Sequence, residues 1–336
     1  MKILSWGNNS GSQMWRLVDP FKYLNKMGHE CYVTKKDIPT CDREGLLDWA
    51  DIYIPQGCVD KEGLACLYMY QQEKGKKIVL DLDDSLTVTK DNPHYEEHKV
   101  SDAKVIIQKT AEIADLITTT QDYLADKLKK INPKVEVLPN YMDMDRWEFN
   151  YKPNTSGRIR IGYCASVTHW LDVKMIEQPL KRILREYKNI DLVMIGDMRY
   201  KTLFKEFNNV EVMLGLSFDA WPNKLNGLRL DIGLAPLRDT EFNRCKSGIK
   251  WAEGAINKIP MVVSPTIYSD ISREFDGRLG MIANTPEEWY QSIKNLIDCK
   301  NLRDDISMAA YSFAKSHWDL SKNVYKWEQV YKRLFS

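Results

Sequence analysis

The chain lacks a Cys-x-x-Cys pair, an apolar run near the ~18 residues of a membrane-spanning helix, and any sizeable net charge. Seven scattered cysteines, an odd number, argue against a disulfide framework or a zinc site. They suit free thiols in a reducing cytoplasm. A net charge of +1 gives no global attraction to nucleic acid or to an anionic membrane. Basic clusters are local, at Lys74-Gly75-Lys76-Lys77 and Lys127-Leu128-Lys129-Lys130, and read as solvated helix ends. Met1-Lys2-Ile3-Leu4-Ser5 runs into a polar, Gly-rich segment and does not read as a signal peptide. That segment, Gly7 to Ser12, does not spell Gly-x-Gly-x-x-Gly, so the dinucleotide fingerprint is missing too. No short-period repeat or low-complexity tract occurs. What is there is ordinary globular material: 336 residues, 43% hydrophobic and 28% charged, enough for two cores.

Strand and helix patterns alternate. Lys2 to Trp6 reads as a first strand, and Met14 to Met27 as a helix with Gly28 at its C-terminal cap. Further strands are predicted at Cys31 to Thr34, Ile52 to Ile54, Lys77 to Asp81, Leu116 to Thr119 and Val135 to Leu138, with a helix at Ala103 to Ile113. Asn150 to Gly157 is polar and reads as a linker. The alternation then restarts, with strands at Arg160 to Cys164, Leu192 to Asp197, Asp231 to Pro236 and Pro260 to Ser264, and a helix at Val173 to Tyr187. Helices are expected at Pro286 to Ile297, Leu302 to Ser316 and Leu320 to Leu334. This order predicts an α/β fold of two doubly wound halves, with ligands at strand C-terminal ends and a cleft between the halves.

The block from Phe242 to Glu253 breaks a rule of helix construction. Ser247 reads as the N-cap of a helix carrying Ile249, Ala252 and Ile256 at helical spacing. A helix N-terminus prefers acidic neighbours, yet Arg244, Lys246 and Lys250 crowd this one, and Lys250 stands where a capping box has Glu or Gln. Three cations beside open amide N–H groups predict a bound phosphate or pyrophosphate; a solvated basic turn is the alternative. Glu253 lies three residues after Lys250. There a carboxylate can accept two hydrogen bonds from a ribose diol, or pair with Lys250 for about 0.3–0.5 kcal/mol.

Several blocks, in order, resemble the GT-B-fold glycosyltransferases of the family 4 type. Val137-Leu138-Pro139-Asn140-Tyr141-Met142-Asp143 resembles the strand-Pro-Asn-Gly-Val-Asp element before the interdomain linker. Ile161 to His169 resembles the loop opening the donor domain, where a Gly-Ser-x-Thr-His form occurs. Val193-Met194-Ile195-Gly196-Asp197 and Asp231 to Leu237 match the following strands. The basic block is similar to the Glu-x7-Glu motif and its Gly-x-Pro-Val-Val run. By that resemblance Glu253 falls on the second Glu, which binds the donor ribose, and Gly248 on the Gly whose backbone approaches the phosphates. Cys245 replaces the first Glu, which touches the transferred sugar, and Asn257 and Ile259 depart from the Gly expected before Pro260. The implied donor set is Ser166, Arg244, Lys246, Ser247, Gly248, Ile249, Lys250 and Glu253, with Gly11 and Ser12 from the first loop.

Asp81-Leu82-Asp83-Asp84 ends the fourth strand and invites a metal reading, which the two-domain pattern disfavours. Asp83 or Asp84 is expected instead to orient the acceptor hydroxyl or act as base, with His169 as a further catalytic candidate. His94-Tyr95-Glu96-Glu97-His98 fits a His-x-x-Glu-His zinc form but is read as a cleft-facing loop, with His94 a candidate for acceptor contact. Arg16 is read as a surface arginine. The stripe Val324, Trp327, Val330, Tyr331 and Leu334 has helical period, and the resemblance implies that this helix crosses back to the first domain.

The expected layout is an acceptor domain over 1–149, a linker over 150–157, a nucleotide-sugar domain over 158–316 and a returning helix over 317–336. The resemblance implies a cytoplasmic hexosyl- or pentosyltransferase that moves sugar from a UDP- or GDP-sugar, with retention and with no metal or tightly bound cofactor. A glycan or lipid-linked acceptor is expected ahead of DNA, and peripheral membrane contact stays open. The alternatives are transfer to a modified DNA base, sugar-nucleotide binding without transfer, and nucleotide-sugar epimerisation.

Overall fold

The computed structural model describes residues 1–6, 11–34, 43–57, 61–85, 90, 95–96, 102–147, 152–267 and 277–336. They divide into two compact units. The first comprises Met1–Asp143, Arg244–Ser247 and Leu320–Ser336, and the second Met144–Asn243 and Gly248–Asp319. Among the described residues, no helix is long and apolar enough to cross a membrane.

The first unit is built on β1 (Lys2–Trp6), β2 (Glu30–Thr34), β3 (Ile52–Pro55), β4 (Lys77–Leu82), β5 (Leu116–Thr119) and β6 (Val135–Val137), in the order β2-β1-β3-β4-β5-β6. Every pairing is parallel. The central strands β3 and β5 are buried along their whole length, as a parallel sheet covered on both faces requires. Alternate residues feed two cores. Leu4, Tyr53, Leu80 and Ile117 join Leu67 and Leu124 in one cluster. Ile3, Ile52, Ile54 and Val79 join Leu17, Phe21 and Leu24 in the other.

The chain terminus completes that second core. Leu320, Val324, Trp327, Val330 and Tyr331 are buried in it, and Leu334 packs against it. Leu320 N–H reaches the Met142 carbonyl at 2.9 Å, and Lys326 Nζ donates to Tyr141 Oη at 2.6 Å. The expected return of the last helix to the first unit is therefore observed. Its continuity is not: the helix Leu320–Asn323 breaks at Val324, resumes as Tyr325–Lys332, and ends in a 3₁₀ turn, Arg333–Phe335.

The first helix also departs from the simple pattern. It begins at Gly11, passes through a π-helical segment, Met14–Val18, and continues as Asp19–Lys26. The wider turn contains Arg16, which is fully buried rather than on the surface.

The second unit is built on β7 (Ile159–Cys164), β8 (Ile190–Gly196), β9 (Val210–Leu214), β10 (Ile232–Ala235), β11 (Met261–Val263) and β12 (Met281–Ile282), ordered β12-β11-β10-β7-β8-β9 and again all parallel. Its core gathers Tyr163, Ile176, Leu192, Met194, Ile232 and Trp289. The edge strands β9 and β12 and the helix Trp221–Leu228 carry weak patterns and are absent from the sequence expectation.

Gly196 ends β8 at φ +122°, and a Cβ there would lie 1.6 Å from the Ala165 carbonyl oxygen. The backbone itself closes that space, so no side-chain adjustment can relieve it. Gly196→Ala is expected to cost about 3 kcal/mol or more in urea unfolding. A cost below about 1 kcal/mol would mean that the two loops separate easily.

Candidate active site

In the first unit the polar residues gather at the C-terminal ends of the strands. Arg16 reaches Asp81 with Nε at 3.1 and 3.2 Å and Nη2 at 2.8 Å. Its Nη1 donates to the Leu138 carbonyl and, at 3.1 Å, to Asn140 Oδ1. Thr118 Oγ1 completes the shell by donating to Asp81 at 2.7 Å. This explains how a buried charge survives: Arg16 is paired bidentately and its donors are used. Asp81 is thereby committed to structure, which removes it from any metal reading of Asp81 and Asp83.

Asp83 and Asp84 follow directly. Asp83 is half-buried, and burial together with the Asp84 and Asp81 carboxylates pushes it up to about 6. Asp84 pairs with Lys246 at 2.8 Å. Asn140 Nδ2 donates to Ser247 Oγ at 3.0 Å, and Gln121 Nε2 to the Arg244 carbonyl at 2.5 Å. Cys245 is fully buried in the apolar cluster of Leu4, Trp6 and Leu80. Its side chain is thus used by a core. Gly11 is exposed at the start of the first helix, and Ser12 Oγ accepts from Gln56 Nε2 at 3.4 Å.

These contacts revise the electrostatic picture of the basic block. Ser247 is not the N-cap: Gly248 occupies that place, without a side-chain cap, and the helix runs Ile249–Ile256. The Ser247 hydroxyl is held by Asn140 instead. Lys246 is neutralised by Asp84, and Lys250 lies 5.5 Å from the Tyr163 ring centroid. Arg244 to Ser247 are grouped with the first unit, while Gly248, Ile249, Lys250 and Glu253 belong to the second.

In the second unit, Glu253 and Lys250 line a cavity of ≈ 30 Å³ with Gly162, Cys164, Trp221 and Gly233. The helix comes close to the sheet because Gly233 and Gly254 leave room for Met261: a Cβ on either would sit 2.2–2.4 Å from its sulfur. Burial pushes the Glu253 carboxyl up to about 7, against the pull of a hydrogen bond from the Trp221 indole and of Lys250. A carboxyl so poised is partly neutral near physiological pH, and can both donate and accept hydrogen bonds.

His169 is buried, and its Nδ1 lies 2.7 Å from Asp172 Oδ2. Ser166 is exposed, and its Oγ lies 2.6 Å from Thr168 Oγ1. The structure therefore places Glu253, Lys250, Gly248, Ile249, Ser166 and His169 in the second unit, and Asp83, Asp84, Lys246, Ser247, Arg244, Gly11 and Ser12 in the first. The His94-to-His98 motif falls outside the described residues, at His94, Glu97 and His98. Sequence reasoning missed Trp221, Asn140, Asn243 and Asp172. Asn140 and Asn243 lie in blocks quoted above without being singled out, and Asp172 carried a signal of its own, three residues after His169 at helical spacing.

Two parallel, doubly wound six-stranded units define a GT-B fold. No protein-family model and no curated protein sequence matches the chain. Among solved structures, it is similar to a glycosyltransferase from Rickettsia africae: TM-score 0.71, 14% identity, covering 100% of this chain and 99% of that one. It is similar to Anabaena Alr3699/HepE in complex with UDP-glucose: TM-score 0.67, 12% identity, 99% of each chain. It is also similar to a putative UDP-N-acetylglucosamine 2-epimerase from Listeria monocytogenes: TM-score 0.61, 12% identity, 100% of this chain and 97% of that one. At such identities the likeness establishes the fold.

Proposed function

We propose that this protein is a glycosyltransferase that moves a sugar from a nucleotide-diphosphate donor to an acceptor hydroxyl, with retention of configuration. The observation that carries this reading is the Gly248-to-Glu253 helix start of the second unit. Its first amide N–H groups and Lys250 suit a diphosphate, and Glu253, one turn on, suits a ribose diol. The fold supports the reading, since the Alr3699/HepE structure holds UDP-glucose. Lys250 would stabilise the nucleoside diphosphate as negative charge develops on the leaving group. In the first unit, Asp83 carries the acid–base role toward the acceptor, because its carboxyl titrates near neutrality whereas Asp84 is engaged by Lys246. The acceptor is proposed to be a glycan or lipid-linked saccharide.

The test is a thermal-shift panel of uridine, guanosine, adenosine and thymidine diphosphate sugars. A ligand at ~100 times its dissociation constant adds about 2.7 kcal/mol of stability. Glu253→Ala is expected to abolish most of the shift given by the best ligand. An unchanged shift would remove Glu253 from the ribose role. A second reading, epimerisation, is favoured by the likeness to the Listeria structure. Product analysis separates the two: transferred sugar supports the first reading, and epimerised free nucleotide sugar the second.

A further inference from the structure

Asp172 is absent from the motifs read in the sequence, yet it is a buried carboxylate bonded on both oxygens. It sits in the first turn of the helix Trp170–Glu186 and is 3% exposed. Its two oxygens have different duties. Oδ2 faces His169 Nδ1 at 2.7 Å. Oδ1 accepts the Arg238 backbone N–H at 2.9 Å and Asn243 Nδ2 at 3.1 Å, with Arg238 Nε at 3.5 Å. Burial alone would raise this carboxyl; the His169 hydrogen bond, the Arg238 amide and Lys250 together hold it below its ordinary value. It is therefore a carboxylate at neutral pH, an acceptor on both oxygens.

Two consequences follow. Opposite an acceptor-only oxygen, neutral His169 must carry its proton on Nδ1, which leaves Nε2 as the acceptor nitrogen. The same carboxylate also fixes Asn243, whose amide is further spent on the Arg238 carbonyl at 2.9 Å and whose backbone N–H donates to Thr240 Oγ1 at 3.1 Å. The turn from Arg238 to Asn243 is thus held by the same group that sets the histidine.

The geometry points to Asp172 as a positioning residue: it locks His169 in the Nδ1–H form and anchors the turn from Arg238 to Asn243. Its effect on turnover rests on the transfer reading above; the locking of the tautomer does not. Asp172→Asn is the diagnostic change because its orientation is forced. The two donors from Arg238 and Asn243 need an oxygen at Oδ1, so the new NH₂ must face His169. The ring then accepts at Nδ1 and moves its proton to Nε2.

The experiment is long-range ¹H–¹⁵N correlation on protein labelled at histidine, recorded at about pH 8 where a typical imidazole is neutral, with His169→Gln to assign the signal among five histidines. Wild type should show the Nδ1–H pattern, and Asp172→Asn the Nε2–H pattern. A wild-type Nε2–H pattern overturns the proposal without any variant. If Asp172→Asn folds and leaves the pattern unchanged, the proposal also fails. With the donor found above, and with His169 as the catalytic candidate of the second unit, as Asp83 is of the first, Asp172→Asn should lower kcat by roughly 10²-fold with little change in donor KM. A wild type without transfer activity would sink the functional reading while the spectra still decide the tautomer. A raised donor KM with kcat intact would overturn the role through His169 and leave Asp172 only the anchor.

Discussion

Arg16→Ala is expected to destabilise the first unit by about 3–5 kcal/mol, more than any surface change could. The arginine is fully buried, and its removal leaves Asp81 as a buried carboxylate that keeps the Thr118 hydroxyl but loses its counter-charge. Asp81→Ala should cost a similar amount, for the mirror-image reason. The informative experiment is the double change, Arg16→Met with Asp81→Leu. If the pair is a charge compensated by its partner, the double variant recovers at least about 2 kcal/mol relative to the sum of the single ones. The Leu138 carbonyl and Asn140, left without Arg16, keep the recovery incomplete. Urea transitions followed by amide exchange in β1 and β4 would read the effect in the right unit. Strict additivity would show that Arg16 and Asp81 act as separate packing elements.

The second large effect is a pH dependence. Glu253 titrates at about 7 in the folded chain, against an ordinary value of 4.5. Between these two values the folded state holds a proton that the unfolded state has released. Stability therefore falls as pH rises from about 4.5 to about 7, and levels off above. At about 1.4 kcal/mol per pH unit this amounts to at most about 3 kcal/mol. Glu253→Gln should abolish that fall and make the protein more stable than wild type near pH 8. Asp83, pushed up to about 6 from 3.8, adds a fall of the same sign at lower pH, and this part should survive in the Gln variant. If the wild-type and Gln curves run parallel, the Glu253 carboxyl is not buried as described. The gain from Gln would come with weaker donor binding, the usual exchange of stability for function at a site.

Most of the strand and helix order was legible because buried parallel strands are short apolar runs between helical periods. Lys2–Trp6, Ala103–Ile113 and Leu116–Thr119 have the expected boundaries, and the fold class follows from their alternation. What escaped was set by tertiary partners. Arg16 looks like any helix-surface arginine until Asp81, Leu138 and Asn140, distant in sequence, surround it. Ser247 has the residue type and spacing of an N-cap, yet Asn140 claims its hydroxyl and Gly248 takes the cap. The three cations looked unbalanced because Asp84 and the Tyr163 ring, which attend two of them, are far away in the chain. Glu253 could be singled out from spacing, but its displaced titration needs the apolar surround of Gly162, Gly233 and Met261, which no local pattern announces.

The discontinuity of the first unit has a consequence for how the protein is made. Its second core lacks Trp327 and Tyr331 until the segment from Leu320 onward has been made, after the whole second unit has been synthesised. During translation the faces of Leu17, Phe21 and Leu24 must wait uncovered, while the second unit has all its strands in hand and can fold first. A stop codon at residue 320 would leave the second unit whole while denying the first unit's core Leu320, Trp327 and Tyr331.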